Sequence, residues 1–146
     1  MKKILKLCSI LFIAVFVLTA CSSEKTKVYT NKVGQQEFEI TIHYKGDTVN
    51  KLSSVSTISD LGTDPKSAIE SIRSSINMQR ENIQGVTYDV EEKDEKAIIK
   101  MEIDYTKIDY DKDKEKLGLT ASSFDEEKKL SYIEKRLTEA GAKEKK

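Results

Sequence analysis

Phe38-Glu39-Ile40-Thr41-Ile42-His43-Tyr44 alternates without a slip. Phe38, Ile40, Ile42 and Tyr44 fall on one side of an extended chain, and Glu39, Thr41 and His43 on the other. Successive side chains of a strand point to opposite faces, so this pattern describes a strand with one dry face and one wet face. Working outward, Gly34-Gln35 reads as the turn before it and residues 27–33 as a first strand. After it, Lys45-Gly46-Asp47 supplies a second turn, with Gly46 free to take a positive φ. A third strand then runs from Thr48 to about Ile58. Val49 and Val55 share a phase that Leu52 and Ile58 do not, as a bulge, or a strand covered on both sides, would produce.

Asp64-Pro65 announces a helix, with Asp64 or Thr63 at the N-cap and proline at the first helical position. Ile69, Ile72, Ile76 and Ile83 follow as one apolar stripe, and Gly85 closes it. Two further alternating runs come next: Val86, Tyr88 and Val90, then Ala97, Ile99, Met101, Ile103 and Tyr105. The short charged turn between them predicts an antiparallel hairpin. Residues 107–116 read as charged and irregular. Ser123 can cap a last helix that buries Phe124, Leu130, Ile133 and Leu137 before Gly141, and residues 142–146 are expected to fray. The predicted fold is therefore α+β. It has an antiparallel sheet of about five strands, a long helix between strands three and four, and a C-terminal helix.

The N-terminus carries a different kind of signal. Lys2, Lys3 and Lys6 precede an apolar run over residues 7–18, which ends in Leu18-Thr19-Ala20-Cys21. A positive segment, an apolar segment and small residues before a cut site make a secretory signal. It is shorter than a membrane-spanning helix, which needs ~20 apolar residues. Cysteine directly after the cut makes it a bacterial lipoprotein signal: Cys21 is the expected lipidation site, and cleavage before it leaves the lipid on the new N-terminus. The expected organisation is a signal peptide over residues 1–20, a lipidated cysteine and short tether over 21–26, and a single domain over 27–146. The expected location is the outer side of a cell membrane. In a cell with two membranes, Ser22 rather than aspartate after the cysteine would direct export to the outer membrane.

Of the 146 residues, the 126 that remain after the signal carry 22 Lys+Arg against 25 Asp+Glu, a net charge of −3. That balance gives no electrostatic footprint for nucleic acid and argues against a polybasic second anchor. Two acyl chains, at ~0.8 kcal/mol per buried CH₂, suffice to hold the protein. Cys8 leaves with the signal and Cys21 is consumed by lipidation, so no thiol remains for a disulfide, a metal or catalysis.

Catalytic and metal templates fail on the residues. Asp109, Asp111 and Asp113 resemble the start of a calcium loop, but Lys114 and Thr120 stand where glycine and glutamate are required. His43 is the only histidine and lies on a wet strand face without a partner evident in the sequence. The serines lie in no nucleophile-elbow pattern, and Glu91-Glu92 and Glu126-Glu127 read as exposed pairs. The tyrosines read as strand residues with packed rings and hydroxyls at the rim.

Four short stretches carry a family likeness: the cysteine site at Cys21, the turn Tyr44-Lys45-Gly46-Asp47, the helix exit Gly85-Val86-Thr87-Tyr88 and the strand end Ile103-Asp104-Tyr105. With them the chain resembles the YehR-like family of small bacterial lipoproteins, whose domain has no assigned function. The resemblance implies a compact α+β domain displayed from a membrane and carries over no catalytic residue. The expectation is a non-enzyme without cofactor or metal, anchored through lipid on Cys21, that holds a protein partner or polymer of the envelope. The alternatives are a carrier of a small apolar ligand in a pocket between the sheet and the Ile69–Ile83 stripe, and a hydrolase using His43.

Overall fold

A computed structural model describes residues 23–80 and 83–146; the segment expected to be a signal peptide, Cys21 and Ser22 lie outside the described residues. Three strands open the domain: β1 (Lys25–Val33), β2 (Gln36–Lys45) and β3 (Thr48–Ile58). Helix α1 (Pro65–Arg80) leads to the hairpin β4 (Val86–Lys93) and β5 (Lys96–Asp104). Helices α2 (Tyr110–Leu117), α3 (Phe124–Glu127) and α4 (Leu130–Glu139) follow, and β6 (Lys143–Glu144) ends the chain. The six strands form one sheet in the order β4-β5-β3-β2-β1-β6, with every neighbouring pair antiparallel. β3 and β4 are therefore parallel with β5 between them, so β3, α1 and β4 make a split β–α–β unit.

Register places the dry residues of every strand on one face. Ile42 lies beside Leu52, Leu52 beside Ile103, and Ile103 beside Val86. The phase slip in β3 is a bulge. His43 pairs with Lys51 and Tyr44 with Val49, so Asn50 is the extra residue. Leu52 and Ile58 thereby turn inward with Val49, while Val55 faces out. The carbonyl of Asn50 accepts from the N–H of Tyr105 and ties down the chain beyond β5.

The covered face holds two apolar clusters. Under α3 and α4, Tyr29, Ile42, Val49, Ile103, Tyr105 and Ile133 pack together, with Ile42 fully buried. Under α1, Ile69, Ile72 and Ile76 fill the space over Val90, Ala97 and Ile99. Asp64 caps α1 as expected: its carboxylate accepts from the N–H and hydroxyl of Ser67, which holds it below the usual carboxylate range.

Five elements differ from the sequence reading. Ile83 and Gly85 lie beyond α1, so the stripe within the helix is Ile69, Ile72 and Ile76. β1 begins at Lys25, two residues early, because Lys25 and Thr26 pair with Tyr44 and His43. Residues 107–116 are not irregular throughout: Asp109 caps α2 by accepting from Lys112 N–H, and Gly118 ends it. The final helix is two, because the break at Lys128-Lys129 is used by the sheet. Val49 N–H donates to Lys128 O and Leu130 N–H to Asp47 O, docking this corner on the β2–β3 turn. Residues 142–146 do not simply fray. Ala142 is buried, Lys143 and Glu144 pair with Thr30 and Tyr29, and Lys145 N–H donates to Val28 O, which raises the strand count to six.

The β4–β5 turn is built from residues that resist it. Asp94 and Glu95 sit at φ 52° and 60°, the left-handed region that Asn-Gly fills at lower cost in two-residue hairpins. Replacing the pair by Asn-Gly should raise stability by about 1 kcal/mol, read as a higher denaturation midpoint with an unchanged slope.

Candidate functional site

The sheet has one face under helices and one face without. On the open face β2 presents Glu37, Glu39, Thr41 and His43, and β3 presents Lys51, Ser53, Val55 and Thr57. β5 adds Lys100 and Glu102, and β4 adds Thr87 and Asp89. Two shallow hollows lie here. One, of about 730 Å³, is walled by Thr30, Lys32, Glu37, Glu39, Val55 and Lys143. The other, of about 430 Å³, is walled by Ser53, Thr87, Asp89, Lys100 and Glu102. The space under α1, expected to hold an apolar pocket in the carrier alternative, is filled by the isoleucines already described.

His43 acquires partners that its sequence neighbourhood does not contain. Ser53 Oγ lies 3.4 Å from His43 Nε2, and the Glu24 carboxylate lies 4.0 Å from His43 Nδ1. The order acid–imidazole–hydroxyl is that of a nucleophile activated by a base. Two elements of acyl-transfer chemistry are missing from the geometry. The Ser53–His43 contact is long for a hydrogen bond to a hydroxyl. β3 also runs between β2 and β5, so its N–H groups around Ser53 are taken by the two ladders and none is free to hold an oxyanion. The contact with Glu24 brings the segment before β1 up to the open face.

Along this face, charges are largely matched. Lys100 pairs with Glu91, Lys51 with Glu102, Lys145 with Glu39 and Lys32 with Glu37. At the end of β5, Asp104 accepts from Lys107 and from the hydroxyl and N–H of Thr106, which together hold its carboxyl at about 2. A depressed folded value gives stability that is present above the unfolded value near 4 and lost as pH falls toward 2. Lys107 is 67% exposed, so solvent screens the pair and the contribution is about 1 kcal/mol. Asp104→Asn should lose that amount at neutral pH and flatten the stability curve between pH 4 and 2, as measured by denaturant titrations across that range.

On the helical side a second polar site was not legible as such. Glu127, read as exposed, is 1% exposed. Its carboxylate accepts from the N–H groups of Thr120 and Ala121 at 3.2 and 3.1 Å and from Arg136 at 2.9 Å. This fastens the loop between α2 and α3 to α4. Burial, with the Glu127 charge adding to it, pushes the Tyr105 phenol above its ordinary range. Glu126 takes the role expected of a helix start: it accepts from Ser122 N–H while its own N–H donates to Ser123 Oγ. Three tyrosines make polar contacts within the fold. Tyr29 donates to Glu134, Tyr110 donates to the carbonyl of Ala121 and stacks on Phe124, and the Tyr132 hydroxyl meets that of Thr120.

Of the calcium-like triad, Asp109 is a cap, Asp111 lies exposed in the first turn of α2, and Asp113 is buried. No group of three or more metal-binding side chains forms among the described residues. No helix among them is long and apolar enough to cross a membrane.

These features define an antiparallel sheet roofed on one face, with a broad polar face left open. The chain belongs to the DUF1307 family, described as proteins of unknown function, whose model matches residues 25–143. It is 34% identical to an uncharacterized lipoprotein of Listeria monocytogenes, over 99% of this chain and 98% of that one. It is 33% identical, over the same shares, to an uncharacterized lipoprotein of Listeria innocua. Among solved structures, the Escherichia coli YehR protein superposes with a TM-score of 0.71 at 25% identity, covering 84% of this chain and 91% of that one. A Streptococcus pneumoniae protein shares the fold, with a TM-score of 0.60 at 15% identity over 84% and 86% of the two chains.

Proposed function

We propose that this chain is a lipid-anchored protein of the bacterial envelope that works by binding rather than by catalysis. A diacylglyceryl group on Cys21 would hold it at the outer side of the cell membrane, and the domain would hold a protein partner or envelope polymer there. The anchoring reading is supported by Leu18-Thr19-Ala20-Cys21 and by lipoprotein relatives matched over nearly their whole length.

The observation that carries the binding reading is the unroofed face. It is a ladder-bonded platform several strands wide, lined with Thr, Ser and paired charges, and its hollows are shallow and open. Such a surface suits a broad polar contact better than an enclosed small-molecule site, which is concave and largely apolar.

Photo-crosslinking in living cells tests this. Crosslinkers at Val55 and Thr57 should capture one dominant envelope component, and a crosslinker at Ser71 on the outer side of α1 should not. Equal capture from both faces, or from neither, would count against the open face. Hydrolytic turnover by the purified protein that disappears in His43→Ala would replace binding by catalysis. A small apolar ligand retained through native mass spectrometry would favour the carrier.

A further inference from the structure

We infer that the end of the sheet where the chain enters from Cys21 is a second, electrostatic membrane contact, in which Lys25, Lys45 and Lys129 lie against anionic lipid headgroups. The inference rests on the lipid anchoring proposed above.

Three residues lie between Cys21 and Lys25, so the four Cα–Cα steps reach at most ~14 Å even when fully extended. An acyl-anchored Cys21 therefore brings the first residue of β1 to within one or two screening lengths of the bilayer surface. Pairing then gathers cations from distant parts of the sequence at that end. Lys25 pairs with Tyr44, next to Lys45; Lys45 pairs with Thr48; and Thr48 bridges to Lys129. All three lysines are exposed, and none has an ion-pair partner among the described residues. The acids at this end are mostly engaged: Glu24 faces His43, Asp104 holds Lys107, Asp125 pairs with Lys128, and Glu126 accepts from Ser122 while lying within the field of Lys129; Asp47 has no ion pair among the described residues.

The opposite end has the reverse balance. Its connections carry Asp60, Asp64, Glu92, Asp94 and Glu95 against Lys66, Lys93 and Lys96. The lysines at the Cys21 end that have no ion pair are thus the ones placed toward the lipid. α1 also runs back to the Cys21 end, where Gly85 O accepts from Asp104 N–H. Met78, in the last turns of α1, is 77% exposed and adds an apolar contact of the kind that enters a headgroup layer. The domain then stands with its strands rising from the bilayer and its open face clear of it.

Lysine footprinting of the full lipidated protein tests this, in vesicles of phosphatidylcholine alone and in vesicles with about one-third phosphatidylglycerol. Lys25, Lys45 and Lys129 should be acylated about threefold or more slowly on the anionic vesicles, with the protection lost near 1 M salt, where the screening length is ~3 Å. Lys66, Lys93 and Lys96 should react alike on both. Equal rates for Lys25, Lys45 and Lys129 on the two vesicle types, or protection of the far-end lysines instead, would overturn the contact. Flotation with both vesicle types and the intact mass at Cys21 report the anchor separately. A protein that floats but shows no protection refutes only this contact, and one that does not float removes the anchoring on which it rests.

Discussion

Glu127→Ala should lower the stability of the domain by about 3–4 kcal/mol, the largest loss expected from any polar side chain here. The carboxylate is 1% exposed and has three donors around it. Alanine leaves the part-buried N–H groups of Thr120 and Ala121 without their acceptor, and an orphaned donor costs about 1–3 kcal/mol, most where water cannot reach it. Arg136 loses less, because it is 40% exposed and can turn to water. A domain of this size has only about 5–15 kcal/mol in total, so the variant should melt some 10 °C or more lower. Glu127→Gln keeps the shape and one acceptor oxygen and should fall between the two. Thermal unfolding followed by circular dichroism reads both. A loss below 1 kcal/mol would mean that the α2–α3 loop finds other acceptors at no cost.

Gly85→Ala should cost about 3 kcal/mol or more, for a steric reason. Gly85 sits at φ +78°, and a Cβ there would meet Asp104 O at 2.7 Å and Lys107 Cβ at 2.9 Å. Backbone atoms cannot swing away, and Gly85 O is itself bonded to Asp104 N–H at 2.7 Å, so the clash must be relieved by parting β4 from the end of β5. Gly46→Ala is the control. It has a similar φ of +64° but open space around the added methyl, so it should show only the ~1 kcal/mol cost of a left-handed alanine. The difference between the two variants isolates the close approach of the chains. Equal losses would show that conformation alone explains both.

Where one face of an element is dry and the other wet, the residues reveal it directly. β2 and β5 alternate because a single face of the sheet is roofed, and the bulge at Asn50 was visible as the phase slip between Val49 and Leu52. Asp64-Pro65 marked α1 because a cap and a fixed φ are local chemistry. Helix α2 was hidden for the opposite reason: in Tyr-Asp-Lys-Asp-Lys-Glu-Lys-Leu the fully buried residue is Asp113, so no apolar stripe exists to be read. β6 is two residues long and owes its strand geometry to pairing with β1, a long-range event. Glu127 was misread because its donors lie in an irregular loop that folds back onto it, while Glu126-Glu127 considered alone is an ordinary exposed pair. Of the candidate site, His43 was legible as a residue on the wet face. Its contact with Ser53 is set by how β2 and β3 pair, and that with Glu24 by how the chain approaches β1.

Lipid anchoring gives the rest of the functional reading its setting, and one measurement reaches it most directly: the intact mass of the protein extracted from membranes of the bacterium that makes it. The expected species begins at Cys21, has lost residues 1–20, and carries a diacylglyceryl group on the cysteine sulfur. Cys21→Ala should abolish both the cleavage and the added mass and should release or mislocalise the protein. A membrane-bound chain that keeps its leader or starts at another residue without lipid, or a Cys21→Ala variant that still takes up a fatty-acid label, would contradict it.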